Sequence, residues 1–98
     1  MYTVLQLPEF EKWLVSVKDS QTRLRLARRL KRVAKGVLGD VEPVGEGVSE
    51  MREDFGAGWR MYFVQRRGTI IMMLGGGTKA TQSRDIKRAK KLAATLET

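Results

Sequence analysis

The stretch that decides the fold is GVSEMREDFGAGWRMYFVQRRGTIIMMLGGG, residues 47–77 of the 98-residue chain. It contains three segments rich in β-branched, aromatic and other apolar residues, VSEMRE, WRMYFVQRR and TIIMML, separated by short turns that contain glycine. This pattern predicts three consecutive strands joined as an antiparallel meander. TIIMML is a continuous apolar run, which is typical of a strand covered on both faces.

The segment before this stretch predicts one strand and two helices. Residues 2–7 are rich in Thr, Val and Leu and end at Pro8, which indicates a short first strand and suits the start of a helix. Apolar residues then recur at helical spacing in PEFEKWLVSV, at Phe10, Trp13, Leu14 and Val17. A second, longer helix follows with Ser20 as its N-cap and with apolar positions at Leu26, Leu30, Val33 and Val37. Gly36 or Gly39 ends it, and GDVEPVGEG is predicted to be a loop.

A glycine-rich turn, residues 75–81, connects the last strand to a final helix in TQSRDIKRAKKLAATLE. Thr81 or Ser83 can cap this helix, and Asp85 is favourable in its first turn. The turn does not have the P-loop spacing, because Thr78 separates the glycines from Lys79. It is either an anion-binding helix N-terminus or a plain turn with a surface lysine.

Together these elements predict an α+β fold in one domain, residues 1–98. The predicted order is β-α-α-β-β-β-α, with an antiparallel meander sheet, a helical hairpin on one sheet face and a C-terminal helix.

The charge balance points to a polyanionic partner. The chain carries 19 Lys and Arg against 11 Asp and Glu, a net charge of +8. Seven of the positive charges lie in residues 23–35 without an acid. The exposed face of the second helix is predicted to carry Arg25, Arg28, Arg29, Arg32 and Lys35. That face either is simply solvated or contacts a polyanion.

The composition also restricts the chemistry. Without cysteine, the chain has no disulfide framework, thiolate catalysis or cysteine zinc site, and without histidine it lacks the commonest general base. Any reaction must use Arg, Lys, Tyr, Asp or Glu, and we expect no metal and no other cofactor. The N-terminus does not have a secretory pattern, and no apolar run approaches the length that spans a bilayer. We therefore expect a cytoplasmic protein that does not contact a membrane.

Arg60 is an unusual residue inside a predicted strand. Side chains alternate between sheet faces, so Trp59, Met61 and Phe63 share one face while Arg60 and Tyr62 share the other. If the helical hairpin covers the first face, Arg60 and Tyr62 lie on a face that is open or only partly covered, which favours an exposed functional face. The alternative is an ordinary cross-strand ion pair between Arg60 and Glu50 or Glu53.

Several segments in order resemble a known family: FEKWL, RLARRL, GVSEMREDFGAGWRMYF and LGGGTKATQSRDIKRA. They are similar to the HigB-like, phage-derived branch of the RelE/ParE toxins of bacterial type II toxin–antitoxin modules. The resemblance covers nearly the whole chain. It departs from the RelE pattern before Arg52, where Ser49 and Glu50 replace lysines, and at the terminal tyrosine, which is matched only by Asp85 or Ile86.

This resemblance implies a toxin that is neutralised by a cognate antitoxin, usually a helix-turn-helix DNA-binding protein. RelE-like and HigB-like members cut mRNA on the ribosome, with the RNA 2′-OH as nucleophile and without a metal. ParE-like members inhibit DNA gyrase without catalysis. A third possibility is a non-toxic module that binds nucleic acid or an antitoxin.

Carried onto this chain, the resemblance assigns catalysis to Arg60, Tyr62 and Lys79. Arg60 would bind the scissile phosphate, and Lys79 or Tyr62 would act as acid or base. The predicted RNA or phosphate contacts are Arg52, Trp59, Gln82, Arg84, Arg28 and Arg32, and a place in the core is the alternative for Trp59.

Overall fold

The computed structural model describes residues 1–96, which form five strands and three helices of an α+β fold. In chain order these are β1 (Thr3–Gln6), α1 (Pro8–Ser16), α2 (Ser20–Ala34), β2 (Val41–Gly45), β3 (Val48–Glu53), β4 (Trp59–Arg66), β5 (Ile70–Thr78), a 3-10 turn (Lys79–Thr81) and α3 (Gln82–Ala94). Glu97, the last residue of the predicted final helix, lies outside the described residues. No helix within residues 1–96 is long and apolar enough to cross a membrane.

The strands form one mixed sheet in the order β1-β5-β4-β3-β2. Strands β3 to β5 form an antiparallel meander, as predicted, β2 extends it by pairing with β3, and β1 joins β5 in parallel. The expectation of a loop at GDVEPVGEG is wrong, because Val41–Gly45 pairs with β3. Glycine and proline obscure this strand in the sequence, and both fit an edge strand with an irregular register between Pro43 and Gly45.

The helical hairpin covers one sheet face, as predicted. Its apolar stripe buries Phe10, Leu26 and Val33 against the sheet side chains of Met61, Phe63, Ile71 and Met73. Asp19, rather than the predicted Ser20, caps α2 and accepts hydrogen bonds from the backbone N–H and the hydroxyl of Thr22. The helix ends at Ala34, so Val37 lies beyond it and is exposed instead of continuing the apolar stripe.

Helix α3 packs on the opposite sheet face, where Arg60 and Tyr62 are buried, so the expectation that these two residues are exposed on this face is wrong. Ala89 and Ala93 pack on Val48, Tyr62, Val64 and Leu74 in a second apolar cluster. The alternation predicted for β4 is confirmed, with Met61 and Phe63 in the first cluster and Tyr62 and Val64 in the second. TIIMML is therefore covered on both faces, as its unbroken apolar run indicated.

Strand β5 continues through the glycines that were predicted to form a turn. A Cβ at Gly76 would lie 2.5 Å from the Trp13 ring, and a Cβ at Gly77 would lie 1.9 Å from the Asp85 carboxylate. The absence of side chains at these two positions therefore lets α1 and α3 approach the strand from opposite faces.

Candidate functional site

The sheet register brings three of the predicted functional cations to one end of the sheet. Arg52 on β3 lies opposite Arg60 on β4, and Arg60 lies opposite Gly77 on β5. Lys79 follows two residues later, and its N–H donates to the carbonyl of Ala57 at 3.3 Å. Residues directly opposite each other in an antiparallel pair point to the same face, so Arg52 and Arg60 share the α3 face.

Gly58 lies between Arg60 and Lys79. A Cβ built on it would be 3.2 Å from the Cβ of Lys79 and 3.6 Å from Nη1 of Arg60. Gly58 has a φ of +74°, a conformation that favours glycine. Lys79 itself is exposed. The turn before β4 therefore places one guanidinium nitrogen close to the surface where Lys79 lies.

Most of Arg60 is nevertheless buried, with 8 % of its surface exposed. Its Nε lies 3.9 Å from a carboxylate oxygen of Glu50, and that nitrogen has no hydrogen-bond partner within residues 1–96. Its Nη1 donates to the carbonyl of Trp59 at 3.4 Å. The expectation that Arg60 is exposed on a functional face is thus wrong, and the geometry is that of the alternative, a cross-strand contact with Glu50.

The first turn of α3 holds this contact in place from above. Gln82 Nε2 donates to both carboxylate oxygens of Glu50, at 2.9 and 3.2 Å. Asp85, also buried, accepts a hydrogen bond from the hydroxyl of Thr81. The polar groups between α3 and the sheet are therefore largely bonded to one another rather than presented to solvent.

Tyr62 lies deeper in the same layer and is completely buried. Burial raises the pKa of its phenol well above the ordinary value, and the negative charges of Glu50 and Asp85 raise it further. The hydroxyl has no hydrogen-bond partner within residues 1–96. The predicted acid–base role of Tyr62 thus has no access from the surface in this arrangement.

Arg52 is more accessible, with a third of its side chain exposed, but acids surround it. Its Nη2 lies 2.9 Å from Asp40 Oδ1 and 3.8 Å from Glu42 Oε2. The hydrogen bond with Asp40 raises the pKa of the Arg52 guanidinium, and the same bond lowers the pKa of Asp40. A phosphate that reached Arg52 would have to compete with these carboxylates.

The remaining predicted contacts are divided between the two sheet faces. Arg84 is largely exposed at the start of α3, 3.7 Å from Asp85 through its Nε. Trp59 points to the hairpin face and packs against Trp13, with ring centroids 6.4 Å apart, so the core alternative describes it. Arg28 and Arg32 are exposed on α2, which covers that same hairpin face. Helix α2, which carries these two arginines, thus lies on the sheet face opposite the one to which Arg60 points.

Arg29 is the residue that the sequence prediction misplaced. It was assigned to the exposed face of α2 but is 3 % exposed. Its guanidinium donates to the carbonyls of Leu38, Asp40 and Arg52 and pairs with the Glu53 carboxylate. The helical spacing from Leu26 and Val33 could have revealed this, since position 29 lies three residues after one and four before the other.

Within residues 1–96, no group of three or more acidic side chains is placed to hold a metal ion. With neither histidine nor cysteine in the chain, the available ligands would be carboxylates alone.

One relative connects the chain to other proteins. The chain is 39 % identical over 87 residues to an uncharacterized protein of Haemophilus influenzae, and the match covers 89 % of the chain and 88 % of that protein. The chain belongs to the family of this Haemophilus protein. No protein-family model matches the chain, and no solved structure matches it. The similarity to the Haemophilus protein does not indicate an activity, and the geometry of the site is the basis for the function proposed below.

Proposed function

We propose that this protein is the toxin of a bacterial type II toxin–antitoxin module, of the HigB-like branch of the RelE/ParE superfamily. In this proposal it is a cytoplasmic endoribonuclease that cleaves mRNA on the ribosome and is neutralised by a cognate antitoxin. Each segment that resembles this family coincides with one part of the fold. These parts are the helical hairpin, β3 with Arg52, β4 with Arg60, and the β5–α3 junction with Lys79.

The observation that carries the proposal is the meeting of Arg60 and Lys79 at Gly58. Arg60 lies on β4 and Lys79 begins the 3-10 turn after β5, 19 positions later in the sequence, yet Nη1 of Arg60 and Cβ of Lys79 both lie next to Gly58, which has no side chain. Arg84 adds an exposed cation at the start of α3. Phosphate recognition requires such convergent donors, and Arg can bind phosphate through two N–H groups.

Cleavage would proceed by attack of the RNA 2′-OH on the adjacent phosphorus, with the proton of that hydroxyl passing to solvent water. The bond from phosphorus to the 5′ oxygen breaks as the new P–O bond forms, giving a 2′,3′-cyclic phosphate and a 5′-hydroxyl. Arg60 Nη1 would stabilise the charge on the non-bridging oxygens, and the Lys79 ammonium would donate the proton to the departing oxygen. Glu50 would orient the Arg60 guanidinium from its Nε side.

The test is cleavage of ribosome-bound mRNA by purified protein, with the 5′ ends mapped. Lys79→Ala should reduce cleavage about 10²-fold or more because it removes an exposed transition-state donor. Lys18→Ala is the matched control, since it removes one exposed lysine from the loop between α1 and α2 and should cleave like wild type. Intact message at doses that arrest growth would exclude the nuclease.

A second candidate is a gyrase inhibitor that binds without catalysis. The burial of Tyr62 favours it, because only Lys79 among the three predicted catalytic residues is exposed. In that case the purified protein would block DNA supercoiling by gyrase while leaving ribosome-bound mRNA uncut.

A further inference from the structure

The outer edge of β5 is covered along only part of its length. Strand β1 pairs with Ile70–Met73, and the last hydrogen bond across this edge runs from the Leu7 N–H to the Met73 carbonyl at 3.1 Å. No other strand within residues 1–96 lies on this side. The edge of residues 74–77 therefore presents backbone donors and acceptors that a further strand could use.

Helices α1 and α3 form the walls of a groove along this edge. The groove has a volume of about 640 Å³, with Leu74, Gly75 and Gly76 as its floor, Trp13 on the α1 side and Ala89 and Leu92 on the α3 side. A Cβ at Gly75 would meet nothing within 4 Å, so the strand is freely approached at this point. Apolar walls around a free strand edge suit an extended peptide.

The charges around the groove favour an acidic occupant. Lys12, Arg88 and Lys91 line it, and none of them forms an ion pair within the described part of the chain. Of the two acids that line it, Asp85 is buried and bonded to Thr81, which leaves Glu9 as the exposed one. The same cations would repel a second copy of this basic chain.

The opposite edge of the sheet is built differently. Strand β2 carries Glu42 and Pro43 and has an irregular register after the proline, features that discourage strand addition. The free part of β5, LGGG, also has an irregular register, at Leu74, but it has neither a proline nor a charged residue. The two edges of one sheet thus differ in whether they can accept a further strand.

We propose that this groove, between α1 and α3, binds an extended acidic segment of a partner protein, which pairs with β5 as a sixth strand. Its carboxylates would contact Lys12, Arg88 and Lys91, and its alternate apolar side chains would pack on Trp13 and Leu92. Nucleic acid could satisfy the cations but not the strand edge or the apolar walls. The groove follows the outer edge of β5, whereas Arg60 lies on β4 along the inner edge of that strand, and the proposal does not depend on RNA cleavage.

The experiment is a selection of peptides from a random phage-displayed library on the purified full chain, followed by amide hydrogen exchange with a selected synthetic peptide. We expect peptides rich in Asp, Glu and β-branched residues and poor in proline. Saturation with one should slow exchange of amides in residues 74–77 by about tenfold or more. No enrichment, or protection confined to other residues, would overturn the proposal.

Charge-reversal variants show whether the peptide binds to the cations of this groove or only to the overall positive charge of the protein. Lys12→Glu combined with Lys91→Glu should weaken binding of the selected peptide by about tenfold or more. Lys31→Glu with Lys35→Glu makes the same charge change at two exposed positions, in the last turn of α2 and just after it, and should leave binding within about twofold. Equal losses in both variants would contradict the assignment. So would protection of residues 74–77 by self-association without peptide, or by an RNA oligonucleotide in its place.

Discussion

The Nε of Arg60 lies 3.9 Å from a Glu50 carboxylate oxygen, and both side chains are buried beneath the first turn of α3. Gln82 occupies the other side of that carboxylate through two hydrogen bonds. The Glu50 charge is therefore compensated by one cation from β4 and by one amide from α3. Any change to Arg60 consequently acts on stability as well as on the proposed phosphate contact.

Replacing Arg60 by Ala should lower the free energy of unfolding by about 3–5 kcal/mol, because it leaves a buried carboxylate without its cation. Glu50→Gln in the same chain should restore more than half of that loss. Chemical denaturation of wild type, both single variants and the double variant gives the coupling free energy. A coupling below about 0.5 kcal/mol would mean that the two side chains do not stabilise each other.

The same four proteins also make it possible to interpret the activity assays of Arg60 variants. Loss of cleavage in Arg60→Ala alone is ambiguous, because the protein could simply be less folded. Loss in the stabilised double variant, with Lys79→Ala behaving alike, would point to the phosphate contact. Retained cleavage in the double variant would remove Arg60 from the proposed mechanism.

Arg29 should be among the most sensitive polar residues for stability. Arg29→Ala removes a guanidinium that bonds to three backbone carbonyls and pairs with Glu53, so we expect a loss of about 3–5 kcal/mol in the free energy of unfolding. Arg28→Ala changes the adjacent position on the exposed face of α2 and should stay within about 0.5 kcal/mol of wild type. Thermal melting of the two variants side by side checks this contrast, and similar melting temperatures would contradict it.

Structural features that depend on residues close together in the chain could be predicted from the sequence. The bounds of VSEMRE match β3 because turns flank it on both sides, and the face of each β4 residue follows from strict alternation. Strand β2 was missed because Pro43 and its neighbouring glycines are typical of loops, and only pairing with β3 makes the segment a strand.

Features that depend on contacts between distant parts of the chain could not be predicted from the sequence. Nothing in the α3 pattern says which sheet face the helix covers, so Arg60 and Tyr62 were expected on an open face. The partners of Arg29 are as far as 24 positions away, so its burial could only be suggested by its helical spacing. The juxtaposition of Arg52, Arg60 and Lys79 was expected from family resemblance, whereas their acidic surroundings were not.

Gly77 should tolerate no side chain, whereas Gly75 should tolerate one. Gly77→Ala would place a methyl group 1.9 Å from the buried Asp85 carboxylate and force it to move, at a cost of about 1–3 kcal/mol in the free energy of unfolding. Gly75→Ala meets nothing within 4 Å and should be neutral, or stabilising by about 0.4–1 kcal/mol, because it restricts the unfolded chain. Chemical denaturation of both variants measures the difference. A Gly77→Ala protein as stable as Gly75→Ala would contradict the close approach of α3 to β5.

Alkaline pH should reveal the burial of Tyr62. The pKa of its phenol is raised above the ordinary value of 10.0, mainly by burial. Above pH 10 the unfolded chain releases this proton while the folded chain retains it, so stability that is fully present below pH 10 is lost as the pH rises further. Tyr62→Phe removes that contribution, and its free energy of unfolding should therefore fall less steeply above pH 10 than that of wild type. Denaturation curves measured across this pH range decide the matter, and equal slopes for Tyr62→Phe and wild type would mean that the phenol ionises without unfolding the protein.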